Sequence, residues 1–483
     1  MSEHEPRKER SPGMKLLFVA LIGAVLTIPL LLIYALVYDR QDQSQTAQAA
    51  INAGWGGPQV VAGPVVVVPF RTTQTQNEEI GGKAVTRTVE VEKLLYISPV
   101  ENTVSTTIDP QERSKSIYRS VLYEAKVSGK TSFALPDDLP RFGVTRERLL
   151  WDRAQVRMGV SDARGLTTGG TLSANGKALA LQPGKGPAAT GGAGFFAFLP
   201  WSGEGALTID YGFGLRGSRS LSLVPRGGQT SWEVRSSWQS PNFNGDFLPE
   251  RRTISDAGFT ANYAVDKLAL GQAPVMLEDP GPPMFDSNAV ARFGSGLARE
   301  DATSASDPAS GGAMEVVGGA SRALSIDLVE PVNLYSKVER AVKYGFLFIG
   351  FTFLAFLLFD IVGGARVASA EYLLTGAGLI LFFVLLLAFA EVIGFTPAYL
   401  LASAAIIGLL ASYSAAVLKS WVRGRFIGAL LVGLYALLFV LLNLEAWSLL
   451  IGSVLLFAAL AGVMYATRNV DWGAVGRRDA AAD

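Results

Sequence analysis

Long apolar runs sit at the two ends of this chain and are missing from its middle. One covers Leu16–Val37, and the next begins only at Tyr344, after which such runs crowd together as far as Ala466. A helix of about 20 apolar residues crosses the hydrocarbon core of a bilayer. The pattern therefore predicts six transmembrane helices: Leu16–Val37, Tyr344–Val362, Tyr372–Ala390, Ala398–Leu418, Phe426–Leu442 and Ala446–Ala466. Gly363-Gly364-Ala365-Arg366, Gly394-Phe395-Thr396-Pro397, Arg423-Gly424-Arg425 and Asn443-Leu444-Glu445 separate the last five. The first run is longer than the apolar region of a secretory signal, and the Ala47-Gln48-Ala49 triplet lies well beyond its end, so it reads as an uncleaved anchor. Pro29 lies inside it, where lipid-buried helices tolerate proline.

Between the two apolar ends the period changes from 3.6 to 2. Val65–Val68, Thr86–Glu92, Ser116–Tyr123 and Thr230–Trp238 read as strands punctuated by Gly, Pro, Asn and Asp. The fold class expected is an α+β membrane protein, with one N-terminal and five C-terminal transmembrane helices. A large extracytoplasmic antiparallel β-sandwich is inserted between the first helix and the second. The plan is a tail at 1–15, an anchor at 16–38, a β-rich domain at 39–340, a five-helix bundle at 341–467 and a tail at 468–483. Two stretches read as flexible loops: 166–194, rich in Gly, Ala and Thr, and 299–312 (REDATSASDPASGG).

Charge orients this plan. Six spans put both termini on one side. Arg7, Lys8, Arg10 and Lys15 join Arg366, the Lys419/Arg423/Arg425 loop and Arg468/Arg477/Arg478 on that side, which the positive-inside rule makes the cytoplasm. The β domain then faces the periplasm of an inner membrane. Lys337, Arg340 and Lys343 fall on the outer side, against the rule.

Composition narrows the chemistry. There are 42 basic and 42 acidic residues, no Cys, and one His, His4. Zero net charge gives no reason to expect nucleic acid as a partner. Imidazole-based nucleophilic catalysis, zinc, haem and iron–sulfur sites lack their ligands, and no phosphate-binding glycine loop is present. No cofactor is expected.

A series of motifs, in order along nearly the whole chain, resembles the CreD family of bacterial inner-membrane proteins. They are Trp55-Gly-Gly-Pro-Gln with Gly63-Pro64 and Val67-Val-Pro69; Ile117-Tyr118 with Tyr123; and Gly159-Val-Ser-Asp162-Ala-Arg164-Gly165. Then come Ser237-Trp-Gln-Ser-Pro-Asn-Phe-Asn-Gly245 with Phe247-Leu-Pro249 and Gly258-Phe259, and Val338-Glu-Arg-Ala-Val-Lys-Tyr344. Glu371-Tyr-Leu-Leu, Gly394-Phe395, Ala398-Tyr399 and Met464-Tyr-Ala-Thr-Arg-Asn-Val-Asp-Trp472 close the series. The resemblance implies a role in envelope integrity and stress response, with no agreed biochemical activity. Glu391 is followed here by Val392, and Glu445 by Ala446, where the family pattern carries a His and a second acid.

The candidate sites follow from residue type. Glu391 and Glu445 end apolar helices at the depth of Lys337, Arg340 and Lys343, and buried or interfacial carboxylates call for partners. Pairing between the two groups is expected, as a clasp or as part of a lipid-phosphate site. Trp238, Pro241, Phe243, Asn244 and Asp246, with Gly245, Phe247 and Pro249, form a turn-rich aromatic run. It reads as a core-completing corner or as a glycan-binding surface. Asp152, Asp162, Glu250 and Asp256 are the carboxylates from which a glycosidase-like pair would have to come. Ala404, Gly408, Ser412 and Ala416 form a small-residue stripe that reads as a packing seam within the bundle. The leading expectation is a non-enzymatic envelope protein that binds the bilayer and a partner protein, glycan or lipid ligand. The alternatives are lipid-linked precursor handling and a carboxylate-dependent wall-modifying enzyme.

Overall fold

A computed structural model of the chain describes residues 12–80, 83–284, 320–328, 334–361, 367–443 and 448–468. The expected loop at 299–312, together with Glu445 and Arg366, lies outside these residues. Two compact units emerge, Ser44–Pro331 and a second comprising Met1–Gln43 with Val332–Asp483.

The second unit is helical. Its elements are α1 (Pro12–Ala53, whose last ten residues belong to the β unit), α2 (Leu334–Lys343), α3 (Gly345–Ile361), α4 (Ser369–Ile393), α5 (Phe395–Val417), α6 (Trp421–Asn443) and α7 (Ser448–Thr467). Among the described residues five helical stretches are long and apolar enough to cross a membrane, with α2 and α3 counted as one. The uncharged 20-residue α7 supplies the sixth span. Two boundaries differ from expectation. The α1 helix runs well past the apolar run, because Gln- and Ala-rich sequence without Gly or Pro continues until Gly54. Ahead of Tyr344, α2 is an amphipathic helix that buries Tyr335, Val338, Ala341 and Val342. The small-residue stripe also lies elsewhere than expected. Ala404, Gly408, Ser412 and Ala416 are exposed, while Ala402, Ile406, Leu410 and Ser414 face the interior. Side chains two positions away from the stripe make the seam.

The other unit contains two large sheets. In the first the order is β13 (Pro241–Gly245), β17 (Leu324–Leu328), β11 (Ser220–Val224), β1 (Gln59–Ile80), β5 (Gln155–Val160), β9 (Gly194–Phe198) and β8 (Gln182–Pro183). On β1 also lies β2 (Lys83–Ile97), which carries β16 (Val275–Met276). The second sheet runs β14 (Arg251–Ser255), β15 (Gly258–Val265), β12 (Gln229–Ser236), β3 (Glu101–Lys115), β4 (Tyr118–Phe133), β10 (Leu207–Ser218), β6 (Thr171–Ala174) and β7 (Lys177–Ala178). Most pairs are antiparallel. The β1–β11 and β3–β12 pairs are parallel, so the sheets are mixed. One apolar cluster takes side chains from both sheets.

The long β1 strand organises the first sheet. Val61 faces the core cluster and Ala62 a second, small one. An irregularity at Gly63-Pro64 sets two residues of β1 against one of β5. The extra residue shifts parity, so that Val66, Val68 and Phe70 point into the core after it.

The expected flexible loop at 166–194 is instead laid onto both sheets. Strand β6 pairs with β10, and β8 with β9. Leu172 and Ala174, two residues apart, bury their side chains, and Asn175-Gly176 closes the β6–β7 turn with positive φ at both residues.

In the middle of the core Trp232 is 2% exposed. It stacks on Tyr263 with ring centroids 5.2 Å apart and donates from Nε1 to Thr106 Oγ1 at 2.9 Å. Trp232→Ala is expected to cost about 3–5 kcal/mol, the range for truncating a buried aromatic. Thermal unfolding of the full chain in detergent should show a lower midpoint and a broadened transition.

Candidate functional site

The turn-rich aromatic run becomes one edge of the first sheet. Trp238 packs half-buried against the core and donates from Nε1 to Ser240 O at 3.1 Å. Pro241 opens β13, which pairs with β17 in antiparallel register. Phe243 meets Phe259 edge-on at 5.6 Å, and the Arg252 guanidinium lies 5.8 Å from the Phe243 ring. Asp246 ends the strand as a clip: its Oδ2 accepts from Ala323 N at 2.7 Å, and its own N–H donates to Ala323 O at 2.8 Å. Gly245 has φ +94, and a Cβ there would lie 2.4 Å from Ala323 O, so the close approach of the two strands requires glycine.

Behind this edge lies a polar cluster. Residues two apart on a strand share a face. Asn242 and Asn244 accordingly both donate from Nδ2 to Asp327 Oδ2, at 3.3 and 2.7 Å. Arg219 sits between β10 of one sheet and β11 of the other, with φ +66. Its carbonyl accepts from Leu328 N at 2.7 Å. Burial pushes the Asp327 carboxyl above its ordinary range, against the two Asn donors and the Arg219 charge, which lower it. Burial lowers Arg219 in turn, opposed by Asp327. It also raises the Tyr263 phenol, helped by the Asp327 charge. The Tyr263 hydroxyl and Asn244 Oδ1 are buried without a hydrogen-bond partner. A half-buried acid, an arginine in the left-handed region and two unsatisfied polar atoms lie together behind this edge.

Trp55 is the other polar–aromatic focus of the domain. The guanidinium carbons of Arg113 and Arg216 lie 4.4 and 4.5 Å from its ring, and its Nε1 donates to Tyr123 O at 3.2 Å. Nearby, Gln59 Nε2 donates to Arg216 O at 2.9 Å and to Asp162 O at 3.3 Å. The Asp162 carboxylate forms a 2.8 Å ion pair with Arg164, whose hydrogen bond holds it below the usual range despite partial burial. It is a turn-closing group here. Asp152, Glu250 and Asp256 lie on other elements, and no group of acids that could hold a metal occurs among the described residues.

In the helical unit the expected charge cluster resolves into separate contacts centred on α2. Lys343 pairs with Glu339 on its own helix at 2.8 Å and lies 5.8 Å from the Tyr34 ring of α1. The Tyr34 hydroxyl donates to the same Glu339 at 3.1 Å. Glu391 accepts from the Tyr335 hydroxyl at 3.3 Å. Lys337 donates to Asn443 at 3.0 Å and stands 5.1 Å from the Phe395 ring. Arg340 donates from Nε to Ser336 O at 3.3 Å. The anticipated Lys343–Glu391 pair is thus replaced by an i,i+4 pair within α2, because helical spacing brings Glu339 to Lys343 directly. The clasp is a set of links from α2 to α1, α4, α5 and α6.

The sequence profile described as Inner membrane protein CreD matches residues 11–473. The Inner membrane protein CreD of Escherichia coli strain K12 is 31% identical over 463 residues, which cover 94% of this chain and 92% of that protein. The chain belongs to the CreD family. It is a multi-pass inner-membrane protein with a β-rich domain inserted between its first span and the rest.

In this CreD-family chain the structure brings Pro241, Phe243 and Asn244 together on β13, with Trp238 before them and Asp246 after. Sequence reasoning missed Asp327, Arg219 and Tyr263. A lone acid in the otherwise apolar-alternating strand Leu324-Ser-Ile-Asp-Leu328 was the available signal.

Two outcomes follow. The folded pKa of Asp327 is raised, so its protonated form is favoured by the fold, and that contribution fades as pH rises through the folded pKa. Asp327→Asn removes this dependence. The melting temperature of the variant relative to the parent should rise as pH increases from the acid range to neutrality. In the helical unit Glu391 and Lys343 do not touch, so Glu391→Gln and Lys343→Gln should add to within about 0.5 kcal/mol in the double variant. Chemical denaturation in detergent measures both.

Proposed function

We propose that this chain is an envelope-integrity and stress-response protein. In this reading its β domain is a non-enzymatic binding module in the periplasm, and both termini lie in the cytoplasm. The cytoplasmic bias of Lys and Arg in the connecting segments supports the orientation. The observation that carries the binding reading is the edge at Pro241–Gly245. Among the described residues, β13 is hydrogen-bonded on one side only, to β17. It presents half-exposed Phe243 and Asn244 together with exposed Asn242. Such an edge accepts an extended segment of a partner protein by strand addition, with backbone bonds supplying affinity and side chains selectivity.

The other two readings have less support. For lipid-linked precursor handling, the cavity between α3 and α6, lined by Tyr344, Phe348, Phe351 and Leu438, holds about 10 Å³ and is wholly apolar. For a carboxylate enzyme, Asp162 is committed to Arg164.

Rescue of cells lacking the protein, read as resistance to detergent, tests the proposal. A lysine on an edge strand blocks strand addition without disturbing the fold. Asn242→Lys is expected to lose rescue while lowering the melting temperature only slightly, because the bond to Asp327 that it removes is long, at 3.3 Å, and exposed. Asp152→Asn, Glu250→Gln and Asp256→Asn are expected to keep both. Loss of rescue from one of these carboxylate changes in a folded protein would replace this reading with an enzymatic one.

A further inference from the structure

Val65 and Val67 of β1 point away from the core that takes Val66 and Val68, yet neither is more than 1% exposed. A second layer therefore covers this face of the first sheet. Part of it is the turn Ala188–Thr190, packed so closely that a Cβ on Gly159 of β5 would stand 2.5 Å from Thr190 Oγ1. The rest is the segment that leaves β16. Its Asp279 joins the two parts, because Asp279 Oδ2 accepts from Ala188 N at 2.6 Å.

Polar side chains meet under this layer. Residues opposite each other across a ladder share a face. Tyr96 and Gln155 both lie opposite Val67, and Arg157 lies opposite Val65. Arg157 donates to Gln155 Oε1 from Nε and Nη2 at 3.2 and 3.1 Å, and it hydrogen-bonds Tyr96. Arg226, just beyond β11, has a side chain 2% exposed, and its Nη2 donates to Oδ1 of Asp279, whose side chain is 7% exposed. Burial raises the Tyr96 phenol, and the Asp279 charge acts in the same direction. Burial lowers Arg157, opposed by Tyr96 and Asp279. One carboxylate thus acts on two guanidinium groups.

A buried ion pair repays its desolvation when the remaining donors and acceptors are also satisfied. Here they are not. Arg226 Nη1 is buried without a partner, and so are Ser98 Oγ and Gln272 Oε1. Ser98 adjoins the arginine: a Cβ on Gly227 would stand 2.4 Å from Ser98 Cβ, and Ser98 N donates to Pro274 O at 2.9 Å. Asp279 uses one arm of the Arg226 fork, where a fitted carboxylate takes two. Its segment is lightly held. Strand β16 pairs with β2 through Val275 and Met276 alone, Gly281 O accepts from Ser321 N at 3.1 Å, and Leu277 and Met284 are exposed.

We propose that Arg226, Arg157 and the Ala188 N–H form a carboxylate-binding site, which Asp279 fills in this state and an external carboxylate takes by displacing the Asp279 segment. A free carboxylate reaches the same donors and can turn to meet both Nη atoms, as a side chain tethered between β16 and Gly281 does not. The site is separate from the edge at Pro241–Gly245 and does not depend on the reading of that edge.

The test uses the full-length protein in detergent, with acetate replacing chloride at constant ionic strength. Asp279→Ala is expected to lower the melting temperature in chloride, and acetate to restore most of the loss. Arg226→Gln combined with Asp279→Ala should not respond. The chain contains no cysteine, so Val275→Cys supplies a single buried thiol on the segment while Asp279 stays in place. Its labelling by aqueous maleimide should rise several-fold in acetate. N-acetyl-dialanine acting as acetate does would support the proposal and assign the site to a peptide C-terminus; acetate acting alone would support it for a small free carboxylate. An Asp279→Ala protein indifferent to acetate, or an equal response in the double variant, would overturn the site. Labelling at 275 that ignores both carboxylates would overturn the displacement, and this measurement stands even where Asp279→Ala fails to fold. A stronger response to phosphate than to acetate would overturn the assignment to carboxylate.

Discussion

A peptide group in hydrocarbon has no water to bond, so each N–H and C=O must find its partner within the protein. This constraint makes the apolar ends of the chain helical and leaves the sheets, with their edges, to the residues between them. Inside the helical unit the same constraint acts on side chains. The Tyr399 hydroxyl donates to Tyr435 O at 2.7 Å, and both rings pack with Phe382. Backbones approach where a side chain is missing. A Cβ on Gly376 would stand 2.1 Å from Leu26 of α1, so this glycine is the surface on which the first helix seats. The polar contacts gather around α2, where Tyr, Lys, Glu and Asn side chains join four other helices.

The β domain shows the opposite balance. Its strands bury an almost unbroken apolar set, and β1 keeps that set facing inward by taking one extra residue at Gly63-Pro64. Its buried polar groups are bonded in separate sets, among them the Arg226–Asp279 ion pair, Asn102 with Thr131 and Tyr211, and the edge formed by β13 and β17. There the chain passes from one sheet to the other through Arg219, a charged residue held in the left-handed region. Asp327 beside it is buried more than its charge favours. Strain and desolvation of this kind are tolerated where the surrounding structure over-determines them. In this domain they lie directly behind a strand with an unfilled side.

Much of the architecture was legible in the sequence because its signals are local. Six apolar runs of spanning length, a change of period from 3.6 to 2 and the basic flanks need no tertiary information to be read. Single elements were harder. The stretch 166–194 read as loop because Gly, Ala and Thr carry weak strand signals, yet Leu172 and Ala174 find a neighbouring strand to join. The stripe of Ala404, Gly408, Ser412 and Ala416 read as a seam because small residues permit close approach. Which face of α5 turns inward depends on where α4 and α6 lie, which spacing along one helix does not contain.

The sequence alone determined that this chain crosses a membrane at both ends, has no Cys and a single His, and carries a β-rich insert with the motifs of its family. These follow from residue type and short-range period. Tertiary structure decided the partners. Lys343 joins Glu339 and not Glu391, because one helical turn is closer than a neighbouring helix. Asn242 and Asn244 are linked to Asp327, more than 80 residues away in the chain, because two strands meet at the end of a sheet. Pairings at that separation are set by strand register and helix packing, and only the assembled fold specifies them.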